Sequence, residues 1–202
     1  ENPSLLPVFP VAIAMRGGYG WSRLLDRIDF AALARSGTRW MGHSDFTAFQ
    51  LAALAAAEMV TFAGPMAAYD FGAEVTSPFT QRHCWDLHAA DRHVVDLLLE
   101  GPDLEVQGTL WGGNLALVAH LVGSPYLPPV RDGVLFLEDI GESPYRIERL
   151  LLQLRFCGVL GAQRAIVLGT FNGYEPCPND DGHDLAAVVA HLRSRIDVPV
   201  YT

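Results

Sequence analysis

The chain has 202 residues, half of them hydrophobic and 18% charged, with a formal net charge of −9. This is the balance of a globular protein with one large domain or two small ones. The acidity, with no basic run, argues against a nucleic-acid binder, and every apolar run is broken by Gly, Pro or charge too early to span a membrane.

Val8 to Met15 is an apolar run that reads as a buried strand of a parallel sheet. Arg16-Gly17-Gly18-Tyr19-Gly20 follows, then a helical pattern through Trp21, Leu24, Leu25 and Ile28. Phe30 to Ala34 is a second short helical piece, and Arg39 to Met41 a second strand. Val60 to Met66 is another apolar segment, closed by Gly64-Pro65. Between Asp70 and Gln107 the character changes. Ser77-Pro78 and the His83, Trp85, His88 stretch read as linker, with a short helix at Asp91 to Leu99. From Gly108 onward a second unit holds the glycine turn Gly112-Gly113, the strand Gly133 to Leu137, the helix Pro144 to Phe156, the strand Ala165 to Gly169 and the helix Asp184 to Arg195. Strands alternating with helices predict an α/β fold. Cys84, Cys157 and Cys177 are widely spaced, without a CxxC pair, and read as reduced structural thiols of a cytosolic protein. The first ten residues do not read as the start of a domain, so the chain is expected to be a piece of a longer one.

The chemistry centres on Thr38 to Thr47. A strand enters a tight turn at Gly42, and the Ala-rich run Ala48 to Glu58 continues it as a helix. A serine at such a turn, Ser44, is held with Oγ exposed, while the peptide N–H groups of the helix start point toward whatever it attacks. The alternative is an ordinary N-cap, and this segment alone favours it, because the second glycine of the hydrolase elbow is missing. Asp45 suits the positive end of the helix dipole without any catalytic role. The glycines after Arg16 can bring backbone N–H groups close to an anion, but they form neither a Walker loop nor a GxGxxG fingerprint. Glu138 and Asp139 end an apolar strand, where an acid can orient a histidine or merely cap a helix. Asn114 either tolerates a left-handed backbone or donates to substrate. His43 diverges from Ser44 as its neighbour, and His183 reads as a helix-start residue. There is no HExxH and no zinc-ligand spacing, so no metal is expected.

Four stretches, in this order and spacing, resemble the LD-carboxypeptidase family, serine peptidases of the muramoyltetrapeptide carboxypeptidase type. They are Arg16-Gly17-Gly18-Tyr19-Gly20, Gly42-His43-Ser44-Asp45-Phe46-Thr47, Gly112-Gly113-Asn114-Leu115 and the run Leu137-Glu138-Asp139-Ile140-Gly141-Glu142-Ser143-Pro144-Tyr145-Arg146-Ile147. The resemblance covers nearly the whole chain. It implies Ser44 as nucleophile and Glu138 as the acid that orients the catalytic histidine. The backbone N–H groups of Asp45 and of a glycine in the Gly17-Gly18 pair, taken as Gly18, would form the oxyanion hole. Arg16, Gly17 and Asn114 would lie near substrate. The implied substrate is a cytoplasmic murein tetrapeptide of peptidoglycan recycling, cut between an L-centre and a terminal D-alanine, with no metal or cofactor.

The implied architecture is an N-terminal parallel-sheet α/β layer, flavodoxin- or amidotransferase-like, at residues 1–70. A linker at 71–107 would join it to a smaller, β-rich C-terminal α/β domain at 108–202, with the site between the two. Both domains are expected to be incomplete. The family's catalytic histidine lies in a Gly-His motif beyond a segment resembling Ile196 to Thr202, and a further strand-and-helix region precedes one like Val8 to Arg16. His183 comes too early to take that role. Missing strands would expose a sheet edge and predict poor solubility or association with a partner; a homodimer is left open. Two other readings stand beside this one. The first is the microcin-immunity branch of the same family, which cleaves a peptide–nucleotide conjugate. The second is a non-catalytic peptide-binding module that lacks the histidine.

Overall fold

The computed structural model describes residues 9–202, which divide into two units, one ending at Leu97 and the other beginning at Leu98. The first unit carries a parallel sheet of β1 (Val11–Ile13), β2 (Arg39–Gly42) and β3 (Phe62–Ala63), in that order. Parallel neighbours need long crossovers, and helices supply them. Between β1 and β2 runs α1 (Phe30–Arg35), where Asp29 accepts the Ala32 N–H at 2.9 Å as N-cap. Between β2 and β3 runs α2 (Thr47–Ala57).

α2 is buried along its whole first half, Thr47 to Ala53. Small alanines permit that close embedding. Phe49 at its centre meets the rings of Phe46, Trp21, Trp40 and Phe30 at 4.8 to 5.7 Å. Pairs at such spacings add about 0.5–1.5 kcal/mol each beyond the area they bury. The cluster fixes α2 against the sheet, and with it the turn that starts the helix.

Three local expectations for this unit need correction. β1 is a half-buried edge strand of the described sheet, not a buried one, and Val8 lies outside the described residues. The pattern from Trp21 to Ile28 forms two single 3-10 turns, Trp21–Arg23 and Leu25–Arg27, because Trp21 is drawn onto Phe46 and Phe49. The helix near residue 90 lies earlier than expected. α3 covers Pro78–Ala89, inside the stretch read as linker, and residues 92–100 form no helix. Ser77-Pro78 is a start signal rather than a break: Ser77 accepts the Thr80 N–H at 3.2 Å, and Pro78 takes a first-turn position that needs no N–H.

The second unit is a four-stranded parallel sheet, β4 (Leu110–Asn114), β5 (Val134–Ile140), β6 (Ala165–Asn172) and β7 (Val200–Tyr201), with neighbours in sequence order. α4 (Leu115–His120), α5 (Pro144–Phe156) and α6 (Leu185–Arg195) make the three crossovers. Ile147, Leu151 and Leu154 of α5 and Val188 and Leu192 of α6 are buried, as are Leu135 and Leu137 of β5. The expected turn at Gly112-Gly113 is instead the body of β4. Gly112 has φ 127°, and a Cβ there would come 1.9 Å from the Phe136 carbonyl oxygen of β5. Only a residue without a side chain lets the two strands approach so closely. The whole chain described is therefore α/β, with a parallel sheet in each unit. No helix among the described residues is long and apolar enough to cross a membrane.

Candidate active site

In the first unit the predicted residues gather at the carboxyl end of the sheet, where open α/β layers form their sites. β2 is the central strand, and it ends at Gly42. His43 then takes the N-cap position and Ser44 opens a 3-10 turn, Ser44–Phe46, that leads directly into α2. Ser44 stands at φ 58°, in the left-handed region that a residue with a Cβ enters at a cost. The N-cap alternative for Ser44 thus fails on geometry, since the cap is His43 and the turn takes no side-chain cap. A serine strained at a strand-to-helix turn is the geometry of a nucleophile elbow.

The elbow is held from several sides. The Gly42 carbonyl oxygen accepts the Gln50 Nε2 from α2 at 3.2 Å and the Gly64 N–H at 3.2 Å. A Cβ on Gly42 would meet the Phe46 ring at 2.7 Å and the Ala14 Cβ at 2.9 Å, so the turn closes on bare backbone. Gly17 faces the serine itself: a Cβ there would lie 2.7 Å from Ser44 Cβ and 2.9 Å from Oγ. Gly18 follows at φ 132°, and Arg16 donates from Nε to the Gly17 carbonyl at 2.9 Å while its side chain stays exposed. Asp45 is the second residue of the 3-10 turn, where helical geometry offers its N–H no backbone acceptor.

A third wall of this end comes from the π-helical turn Ala67–Phe71, tied down by Ala67 N–H to Ala14 O and Ala68 N–H to Met15 O, both 2.9 Å. Asp70 in this turn accepts the Met66 N–H at 2.7 Å and lies 3.3 Å from His43 Nε2. Sequence reading did not single out Asp70. The apolar segment from Val60 to Met66 gives no hint that an acid four residues on folds back to its end.

In the second unit, Asn114 and Glu138 are partners across β4 and β5. β5 continues past its expected end, through both acids to Ile140, and its register against β6 slips between Leu137 and Asp139. Glu138 sits at that irregularity. Burial first, and the neighbouring Asp139 carboxylate second, push its pKa up to about 7. Asn114 does not take a left-handed backbone: φ is −62°, and its Oδ1 accepts the Leu117 N–H at 3.1 Å as the N-cap of α4. Its Nδ2 donates to Asp139 Oδ1 at 2.8 Å. Asp139 also accepts the Ala116 N–H at 2.9 Å, so it holds the start of α4 as well. Glu142 pairs with Arg146 one turn along α5.

The structure thus brings Arg16, Gly17, Gly18, Ser44 and Asp45 together in one unit, and Asn114 and Glu138 together in the other. His183 lies at the other end of the β6–α6 connection, 3.2 Å from Glu148 of α5. Among the described residues no group of three or more His, Cys, Asp or Glu is arranged to hold a metal ion.

Comparison with known proteins gives a consistent pattern. A model of the LD-carboxypeptidase N-terminal domain matches residues 7–64, and one of the LD-carboxypeptidase C-terminal domain matches residues 107–202. The chain is 36% identical to a putative carboxypeptidase of Streptomyces coelicolor, over 84% of this chain and 56% of that protein. It is 31% identical to a probable murein peptide carboxypeptidase of Bacillus subtilis, over 86% of this chain and 56% of that protein. A crystal structure of muramoyltetrapeptide carboxypeptidase from Oxalobacter formigenes superposes with a TM-score of 0.90 at 44% identity, covering 96% of this chain and 67% of that one. The chain therefore spans 56% of the length of these two curated relatives.

Proposed function

The chain belongs to the LD-carboxypeptidase family, and from that premise we propose that it is the nucleophile-bearing part of a serine peptidase. The reading is that it hydrolyses the bond between an L-centre and a terminal D-alanine in a murein tetrapeptide, in cytoplasmic peptidoglycan recycling. The observation that carries it is Ser44 at φ 58° on the turn from β2 into α2, with the backbone of Gly17 against its Oγ.

Ser44 Oγ attacks the scissile carbonyl carbon and passes its proton to a histidine acting as general base. The carbonyl oxygen becomes negative in the transition state and is met by the N–H groups of Asp45 and Gly18. Donors fixed in advance at that point cost no reorganisation during reaction and can be worth about 10²–10³ in rate each. The C–N bond breaks, the histidine returns the proton to the amine, and D-alanine leaves. Water then repeats the sequence on the acyl-enzyme. Arg16 supplies a cation for a carboxylate of the peptide, and Asn114 is read as a further substrate contact.

Glu138 orients the base and must be ionised to do so. With its pKa near 7 it is only about half ionised at neutral pH when no cation lies beside it. An imidazolium hydrogen-bonded to it lowers that value, so acid and base stabilise each other's charged forms. The family motif that carries such a histidine follows a segment like Ile196 to Thr202.

The test is D-alanine release from a murein tetrapeptide by the protein that carries this chain, with Ser44→Ala and an L-alanine-terminated peptide as controls. Release that needs both Ser44 and the D-terminus supports the reading. Peptide binding without release, with Ser44 unreactive toward a fluorophosphonate, supports the binding-module alternative instead.

A further inference from the structure

Strand alternation places Leu135, Leu137 and Asp139 on the same buried face of β5, so a carboxylate stands where the next apolar residue belongs. Asp139 is 5% exposed. A buried carboxylate is tolerated only when its lone pairs are met, and here they are met by three donors. Oδ1 accepts Asn114 Nδ2 at 2.8 Å and the Ile140 N–H at 2.9 Å, and Oδ2 accepts the Ala116 N–H at 2.9 Å. These donors come from the end of β4, from the start of α4 and from the residue just after Asp139 itself. Asn114 and Glu138 are the cross-strand pair flanked by these bonds.

We propose that Asp139 is the positioning residue of the second unit, fixing which way the Asn114 amide faces and holding Glu138 at its place beside the register slip. The inference rests on the reading of Asn114 and Glu138 as site residues. An amide is nearly symmetric in shape, so nothing steric prevents Asn114 from flipping. Asp139, an acceptor only, dictates that Nδ2 faces it, which leaves Oδ1 to cap α4 at the Leu117 N–H. The bond from Ile140 N–H to Asp139 Oδ1 stiffens the backbone immediately after Glu138. Asp139 acts on Glu138 electrostatically as well, since its charge helps burial disfavour the Glu138 carboxylate. The same residue therefore places the acid and adds to burial in disfavouring its charged form.

The test needs no turnover, so it stands or falls separately from the peptidase reading. The Glu138 side-chain carboxyl is titrated by carbon-13 NMR in the wild type and in Asp139→Asn. The expected result is a lower midpoint in the variant, together with a changed chemical shift of the Asn114 side-chain amide. The lost charge by itself lowers the midpoint, so the amide carries the positioning claim: an Asn114 side-chain amide shift that the substitution leaves unchanged overturns the proposal, as does an unchanged Glu138 midpoint. Should Asp139→Asn not fold, the wild type carries the test alone. One Asn114 Nδ2 proton is then expected downfield and slow to exchange, and a freely exchanging, degenerate pair overturns the proposal.

Discussion

The backbone of Gly17 lies against the side chain of Ser44, closer than any residue with a Cβ could stand: that atom would be 2.9 Å from Oγ. The contact joins the segment after β1 to the turn after β2. It leaves peptide groups, not side chains, as the surface facing the serine.

Gly17→Ala is therefore expected to push Ser44 off its position. Displacements of about 1 Å at a reacting atom cost about 10²-fold in rate, so kcat/KM for D-alanine release should fall by that order with the circular dichroism unchanged. Unaltered kcat/KM would show that the close approach has no bearing on the reaction.

Ser44 holds a backbone conformation that suits glycine better than serine. Ser44→Gly and Ser44→Ala both remove the hydroxyl, but only the first relieves the strain. Urea unfolding should find the glycine variant more stable than the alanine variant by about 1 kcal/mol. Equal stabilities would mean that the elbow is not strained.

Glu138 gives a pH signature whose sign follows from its raised pKa. Between its ordinary 4.5 and the folded value of about 7, the folded chain holds a proton that the unfolded chain has released. Stability thus falls as pH rises through that window and levels off above it. Glu138→Gln cannot ionise, so it should be neutral near pH 4 and stabilising at pH 8. With the partly exposed side chain discounted for solvent screening, the gain is about 1–2 kcal/mol. Destabilisation at pH 8 would contradict the assignment.

Asp70 is worth more to the fold than its contact with His43. Asp70→Ala orphans the Met66 N–H and should cost about 1–2 kcal/mol, with faster proteolysis around Ala67–Phe71. His43→Ala loses only a half-exposed pairing and should cost less than about 1 kcal/mol. The reverse order would place the turn's support in the imidazole.

The elements that sequence could supply were those whose signals are local. Pro144 to Phe156 shows an apolar face at helical spacing behind a proline, and α5 has those bounds. Asp184 caps α6 at the Ala187 N–H, as an acid before an apolar run should. What failed depended on distant neighbours. The Gly112-Gly113 pair looks like a turn until the Phe136 carbonyl is set against it, and the apolar run after Asp91 looks helical although residues 92–100 form no helix. In the site, motif resemblance singled out Ser44, but its left-handed φ and its contact with Gly17 are tertiary facts. Asp139 did leave a trace. An acid in phase with Leu135 and Leu137 on one strand face announces a buried charge that must have partners.

The central claim is that Ser44 becomes covalently bound to the peptide, and mass spectrometry of an acid-quenched turnover mixture tests it most directly. The account predicts that the proteolytic fragment containing Ser44 gains the mass of the peptide shortened by D-alanine, less one water, and that Ser44→Ala abolishes both this adduct and D-alanine release. D-alanine release that continues in Ser44→Ala, with no adduct on that fragment in the wild type, would contradict it.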